Sequence, residues 1–214
     1  MSIKVQEKNV GLTDLSGFKD IVAVSIQLTK IPLESQPNKY IKNAWQSREY
    51  GLIKTVDLKL ATCSGRLFVN LSFADSSVPN SEFQDSVGVF FPTVEDDNSC
   101  LTIGSIDKPV VLWQWKNRLD IQSKLSPAKE LDAFGPGVFV PASNPNSSGV
   151  EAVGNLVDNN WGVVISGDLA PVQKVKKIAV VAWDGSNDER AGIGSVSSNW
   201  IDLEFEKELA ANVK

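Results

Sequence analysis

Between residues 53 and 73 the chain alternates apolar and polar positions in two successive runs. Val56, Leu58 and Leu60 enclose Asp57 and Lys59, and Leu67, Val69, Leu71 and Phe73 enclose Asn70 and Ser72. A period of two puts each apolar set on one face of a strand. Ser64-Gly65 between the runs suits a tight turn, so residues 53–61 and 66–73 are predicted to pair antiparallel. The β-branched run IVAVSIQL at 21–28 predicts another strand, ended by Pro32. Further strands are predicted at 86–91, 110–115, 162–165, 177–183 and 200–205. The segment KIAVVAW at 177–183 is almost continuously apolar, which predicts a central strand covered on both faces. Eight short strands separated by turn-forming segments imply an all-β fold, a two-sheet antiparallel β-sandwich.

One or two short helices are expected beside the strands. In SPAKELDAF at 126–134, Ser126 would cap the start, Pro127 would hold the first helical position and Gly135 would stop the helix. Residues 206–213 are expected to add a C-terminal turn or two. Residues 135–150 are rich in Gly, Pro, Ser and Asn and read as a long loop. The segments on either side have too few strands to close a core alone. Residues 1–214 are therefore expected to form one domain with the 135–150 loop inside it, available to a partner. The glycine pairs at 135/137 and 192/194 match neither a phosphate loop nor a dinucleotide fingerprint and are read as turns.

Composition narrows the chemistry. The chain has 214 residues and no histidine, which removes Ser-His-Asp and Cys-His catalysis and histidine ligation of zinc or haem. Met1 is the only methionine. Cys63 and Cys100, 37 positions apart, cannot alone supply a four-ligand zinc or cluster site and read as structural thiols. The net charge of -5 argues against a nucleic-acid partner. No apolar stretch approaches the ~18 residues of a membrane span. Lys4, Glu7, Lys8 and Asp14 interrupt any secretory signal in the first 20 residues. The acidic groups Asp96/Asp97 and Asp184/Asp188/Glu189 have the oxygen content of a calcium site without its spacing, and are read as solvated surface and a turn. Six tryptophans (Trp45, Trp113, Trp115, Trp161, Trp183, Trp200) serve either as core and interface anchors or as exposed sugar-stacking platforms. The first use is preferred, and Trp113 and Trp115 share one strand face.

Three segments together carry a family resemblance: DSVGVFFP at 85–92; LTIG at 101–104 leading into KPVVLWQWK at 108–116; and KIAVVAWDGSNDER at 177–190 with the following 195–205. In order and spacing they resemble the haem b-binding γ subunit of ethylbenzene dehydrogenase and its relatives in the type II DMSO reductase family. The resemblance covers roughly residues 50–116 and 150–206. It implies a two-sheet sandwich acting as an accessory or electron-transfer subunit, with no catalysis of its own. Its partners would be an iron–sulfur β subunit and a molybdenum α subunit, the molybdenum cofactor and iron–sulfur clusters lying only in those chains. It also implies haem b held between a lysine and a methionine. The lysine position falls on Lys177, whose neutral amine would meet iron only in an apolar pocket. The methionine position falls on Ile103, which has no lone pair to give. Thr102 points to the opposite face of a strand from residue 103, and so does Cys100, so only backbone movement would bring the Cys100 thiolate round. Three outcomes follow: five-coordinate haem on Lys177, re-routed ligands, or no haem and a structural role. Location is expected to be cytoplasmic, or periplasmic by export with a partner carrying a twin-arginine signal. The rival reading is a carbohydrate- or small-ligand-binding sandwich built on exposed tryptophans.

Overall fold

The structure is a computed structural model that describes residues 1–75, 82–94, 100–117, 127–142 and 149–206. These contain thirteen strands: β1 (Ser2–Glu7), β2 (Val24–Lys30), β3 (Thr55–Cys63), β4 (Arg66–Ala74), β5 (Ser86–Pro92), β6 (Val110–Lys116), β7 (Ala128–Ala133), β8 (Phe139–Pro141), β9 (Glu151–Val157), β10 (Asn160–Asp168), β11 (Lys177–Trp183), β12 (Ser195–Ser197) and β13 (Ile201–Phe205). Two short helices, α1 (Lys39–Trp45) and α2 (Leu169–Val175), complete the picture with four single 3₁₀ turns.

The strands run in the order β8-β7-β6-β5-β11-β12-β2-β3-β4-β10-β9. The path folds back on itself, so β5–β8, β11 and β12 form one layer and β2–β4, β9 and β10 the other. Two short bridges join the layers between β11 and β3. One passes through β12 and β2, the other through β13 and β1, where β1 runs parallel to both β13 and β3. All other pairings are antiparallel. This is the expected all-β sandwich.

The β3–β4 turn sits where expected, and both its residues take the left-handed backbone of a two-residue hairpin (Ser64 φ 50, Gly65 φ 76). The main core lies between the layers. Val87, Val89, Trp113, Trp115 and Val180 meet Leu58, Leu60, Val69, Leu71 and Ile165 there. A second apolar cluster covers the outer face of the first layer, which makes β11 buried on both sides as its continuous apolar run implied.

Two expectations fail. SPAKELDAF is not a helix: its described part is β7, whose Leu131 and Ala133 pack into the outer cluster while the backbone pairs with β6. Cap-like residues around a seven-residue stretch are a weak signal, and sheet pairing outweighs them. Ser126 itself, like residues 207–213 of the expected C-terminal turn, lies outside the described residues. The 135–150 segment is also not loop throughout, since β8 within it adds an edge strand to β7.

The two real helices announce themselves only by their caps. The Asn38 side chain accepts from Tyr40 N–H at 2.8 Å, and that of Asp168 from Ala170 N–H at 3.2 Å. No helix among the described residues is long and apolar enough to cross a membrane.

Candidate functional site

Ile103 closes a 3₁₀ turn spanning Cys100–Thr102, and this corrects the strand geometry expected there. The turn brings Cys100 and Ile103 to the same side. Both belong to the outer cluster with Phe90, Ala179, Val181 and Trp183. Ile103 is fully buried, and its backbone is left-handed (φ 51), a region that β-branched residues avoid. Such a backbone outlier marks a position whose surroundings dictate its geometry. Three hydrogen bonds fix the turn. Ile103 N–H donates to the Cys100 carbonyl at 3.1 Å, the Thr102 hydroxyl to the Gly104 carbonyl at 2.9 Å, and the buried Cys100 thiol to the Ser197 carbonyl at 3.2 Å.

Lys177 opens β11 and is half-buried. Alternation along β11 turns residues 177, 179, 181 and 183 to one face, and Ala179, Val181 and Trp183 lie in the outer cluster. By that alternation Lys177 lies on the sheet face that the cluster containing Ile103 covers. Aromatic side chains pack on this face. Phe90 pairs across from Ala179 and is covered edge-on by Trp200, with ring centroids 5.2 Å apart. The Trp200 indole N–H is buried and has no acceptor among the described residues.

A second constellation was invisible in the sequence. Asp75 at the end of β4, Asp85 before β5 and Asp184 after β11 are all buried, with carboxylate oxygens within 4.8 Å of one another. Asp85 accepts from the Gly185 N–H at 3.0 Å and the Trp161 indole at 3.3 Å. Burial, then the nearby Asp75 charge, push its carboxyl up to about 6. Asp184 accepts from Ser186 and Asn187 and so caps the turn that follows it. Glu189 accepts from the backbone N–H groups of Leu52 and Asp184, and burial pushes its carboxyl above the ordinary range. Asp188 pairs with Arg48 at 2.7 Å. The run at 184–189 is thus the expected turn, with Asp184 facing two carboxylates from elsewhere. Asp96 and Asp97 lie outside the described residues.

The tryptophans are anchors, as preferred. Trp45, Trp113, Trp115, Trp161 and Trp183 are buried, and Trp113 and Trp115 both face the main core. No exposed tryptophan platform exists among the described residues. A cavity of about 350 Å³ does open beside α2, floored by Phe91, Val111, Trp113 and Val172 and flanked by Glu130 and Lys174.

No family model matches the chain. Among curated proteins it is 28% identical over 195 residues to a Haloferax mediterranei protein assigned as the heme subunit of a respiratory nitrate reductase, covering 85% of the chain and 65% of that protein. It is 30% identical over 156 residues to the γ subunit of chlorate reductase from Ideonella dechloratans, covering 66% and 61%. The γ subunit of dimethylsulfide dehydrogenase from Rhodovulum sulfidophilum is 26% identical over 159 residues, covering 67% and 58%. The chain is a homologue of γ subunits of the type II DMSO reductase family. The matches span between 58% and 65% of those relatives' lengths.

At the two positions that the resemblance assigns, the described residues do not offer a haem two protein ligands. Ile103 offers no donor atom. The sulfur of Cys100, in the same cluster as Ile103, is engaged as a hydrogen-bond donor, whereas iron would need the thiolate. Of the two positions that the resemblance assigns to ligands, Lys177 alone carries a donor. The cavity beside α2 lies on the opposite face of the layer, since its floor residues belong to the main core.

Proposed function

We propose that this chain is a non-catalytic accessory subunit of a multi-subunit oxidoreductase, of the γ type, whose active centre lies in another chain. The observation that carries the reading is the similarity to three γ-type or heme subunits, which spans most of the sandwich. Composition supports it, because a chain without histidine has few routes to chemistry of its own. The partners in this reading are an iron–sulfur subunit and a molybdenum-bearing catalytic subunit, and one β-sandwich domain docks against them. The 135–150 segment and the turn at 184–194, including Arg190, are the surfaces assigned to contact. Arg190 lies over the Phe83 ring at 3.9 Å, which holds this turn against the segment leading into β5.

The reading does not depend on haem b in this subunit, because Ile103 has no side-chain donor for a second axial bond. The sugar-binding alternative loses its main support, since five of the six tryptophans are buried and Trp200 packs against Phe90.

The test is native purification of the full chain through an affinity tag, followed by size-exclusion chromatography. Elution together with two larger chains supports the proposal. Elution as a lone monomer under gentle, low-salt conditions rejects it.

A further inference from the structure

We infer that this chain is a redox-silent member of the γ type: the sheet face corresponding to the family's haem position is packed as protein core, and electrons do not pass through a cofactor of this subunit. The inference rests on the proposed accessory role and specifies what the subunit contributes.

Position 103 decides the matter. Its left-handed backbone is costly for a β-branched residue, yet the turn retains it. The turn is also clamped against the sheet. A Cβ added at Gly104, itself left-handed (φ 83), would come within 2.6 Å of the Ala133 carbonyl on β7. The loop therefore presents residue 103 inward by construction, and what it presents is a hydrocarbon side chain that is fully buried. Packing completes the closure. Ile103, Phe90, Val181 and Trp183 form one contiguous cluster, with Trp200 covering Phe90 next to the strand that begins at Lys177.

Among the described residues, the donors near this face do not replace the missing ligand. The Cys100 thiol donates to the Ser197 carbonyl, tying the turn to β12. The indole N–H of Trp200 can give a hydrogen bond to an acceptor but no bond to iron. Lys177 is one ligand at most. Cys63 lies at the β3–β4 hairpin, away from the outer cluster, so the two cysteines do not combine into a cluster site.

The experiment is an absorption spectrum and pyridine haemochrome assay on the full-length chain, made in cells supplied with haem precursor and purified together with whatever elutes with it. The expected result is a γ-type band without haem, and a reduced-minus-oxidised difference spectrum that contains nothing attributable to this chain. Stoichiometric haem on the chain, with bands altered in Lys177→Ala, overturns the inference and leaves the accessory role intact. Stoichiometric haem unaffected by Lys177→Ala overturns it equally. A colourless chain that elutes alone supports the closed face and rejects the accessory role instead.

Discussion

Replacing Asp85 by asparagine removes one charge from the buried Asp75–Asp85–Asp184 cluster. The folded carboxyl sits at about 6 against an ordinary 3.8, so the native state holds this proton more tightly than the unfolded chain does. The associated stability is fully present below pH 3.8 and is lost as pH rises through 6. At ~1.4 kcal/mol per pH unit, the shift corresponds to at most about 3 kcal/mol lost by pH 7, shared with its acidic neighbours. The asparagine amide cannot lose a proton in this way. Its oxygen can still accept from the Gly185 N–H, while the Trp161 indole forfeits its acceptor at a cost of about 1 kcal/mol. Asp85→Asn is therefore expected to be more stable than the parent by about 1–2 kcal/mol at neutral pH, and the gap is expected to close as pH falls toward 4. Urea unfolding of both proteins across about pH 4 to 8 measures this directly. A stability difference that stays constant with pH, or one that grows on acidification, refutes the argument.

Other perturbations are read more simply. Gly167→Ala places a methyl 2.6 Å from the Trp113 ring and is expected to cost about 1–3 kcal/mol in thermal or urea unfolding. Leu58→Ala empties a fully buried site in the main core and is expected to cost about 2–5 kcal/mol by the same assay. Arg48→Ala removes a partly exposed pair with Asp188, and its effect is expected to stay within about 1 kcal/mol and shrink in high salt. In native protein a thiol reagent is expected to modify the half-buried Cys63 readily and Cys100 only on unfolding. Equal rates at the two sites would contradict the packing around Cys100.

The central strands were legible because their patterns are local. Alternation at 56–60 and 67–73 fixed β3 and β4, and the continuous KIAVVAW run marked β11 as covered on both faces. What escaped depends on distant partners. β7 carries helix-like punctuation and becomes a strand only because β6 offers it an edge. β1 lies parallel to β13 from the other end of the chain, and nothing in SIKVQE alone predicts that pairing. The apolar pattern of β9 breaks at Gly154, a paired position where the Trp115 ring leaves no room for a Cβ. The site divides the same way. Lys177 and Ile103 were found by resemblance alone, and the face that each presents follows only from the fold. The 3₁₀ turn that brings Cys100 to the side of Ile103 was misread, because three residues carry no period. The acidic cluster was missed because Asp75, Asp85 and Asp184 come from three separate strand ends.

The metal content of the natively purified assembly tests the accessory role at its root. Quantifying molybdenum, iron and acid-labile sulfide against this chain in the size-exclusion peak is expected to show molybdenum in equal amount with the chain and iron matched to cluster sulfide. A peak in which the chain carries neither molybdenum nor iron–sulfur partners would contradict it.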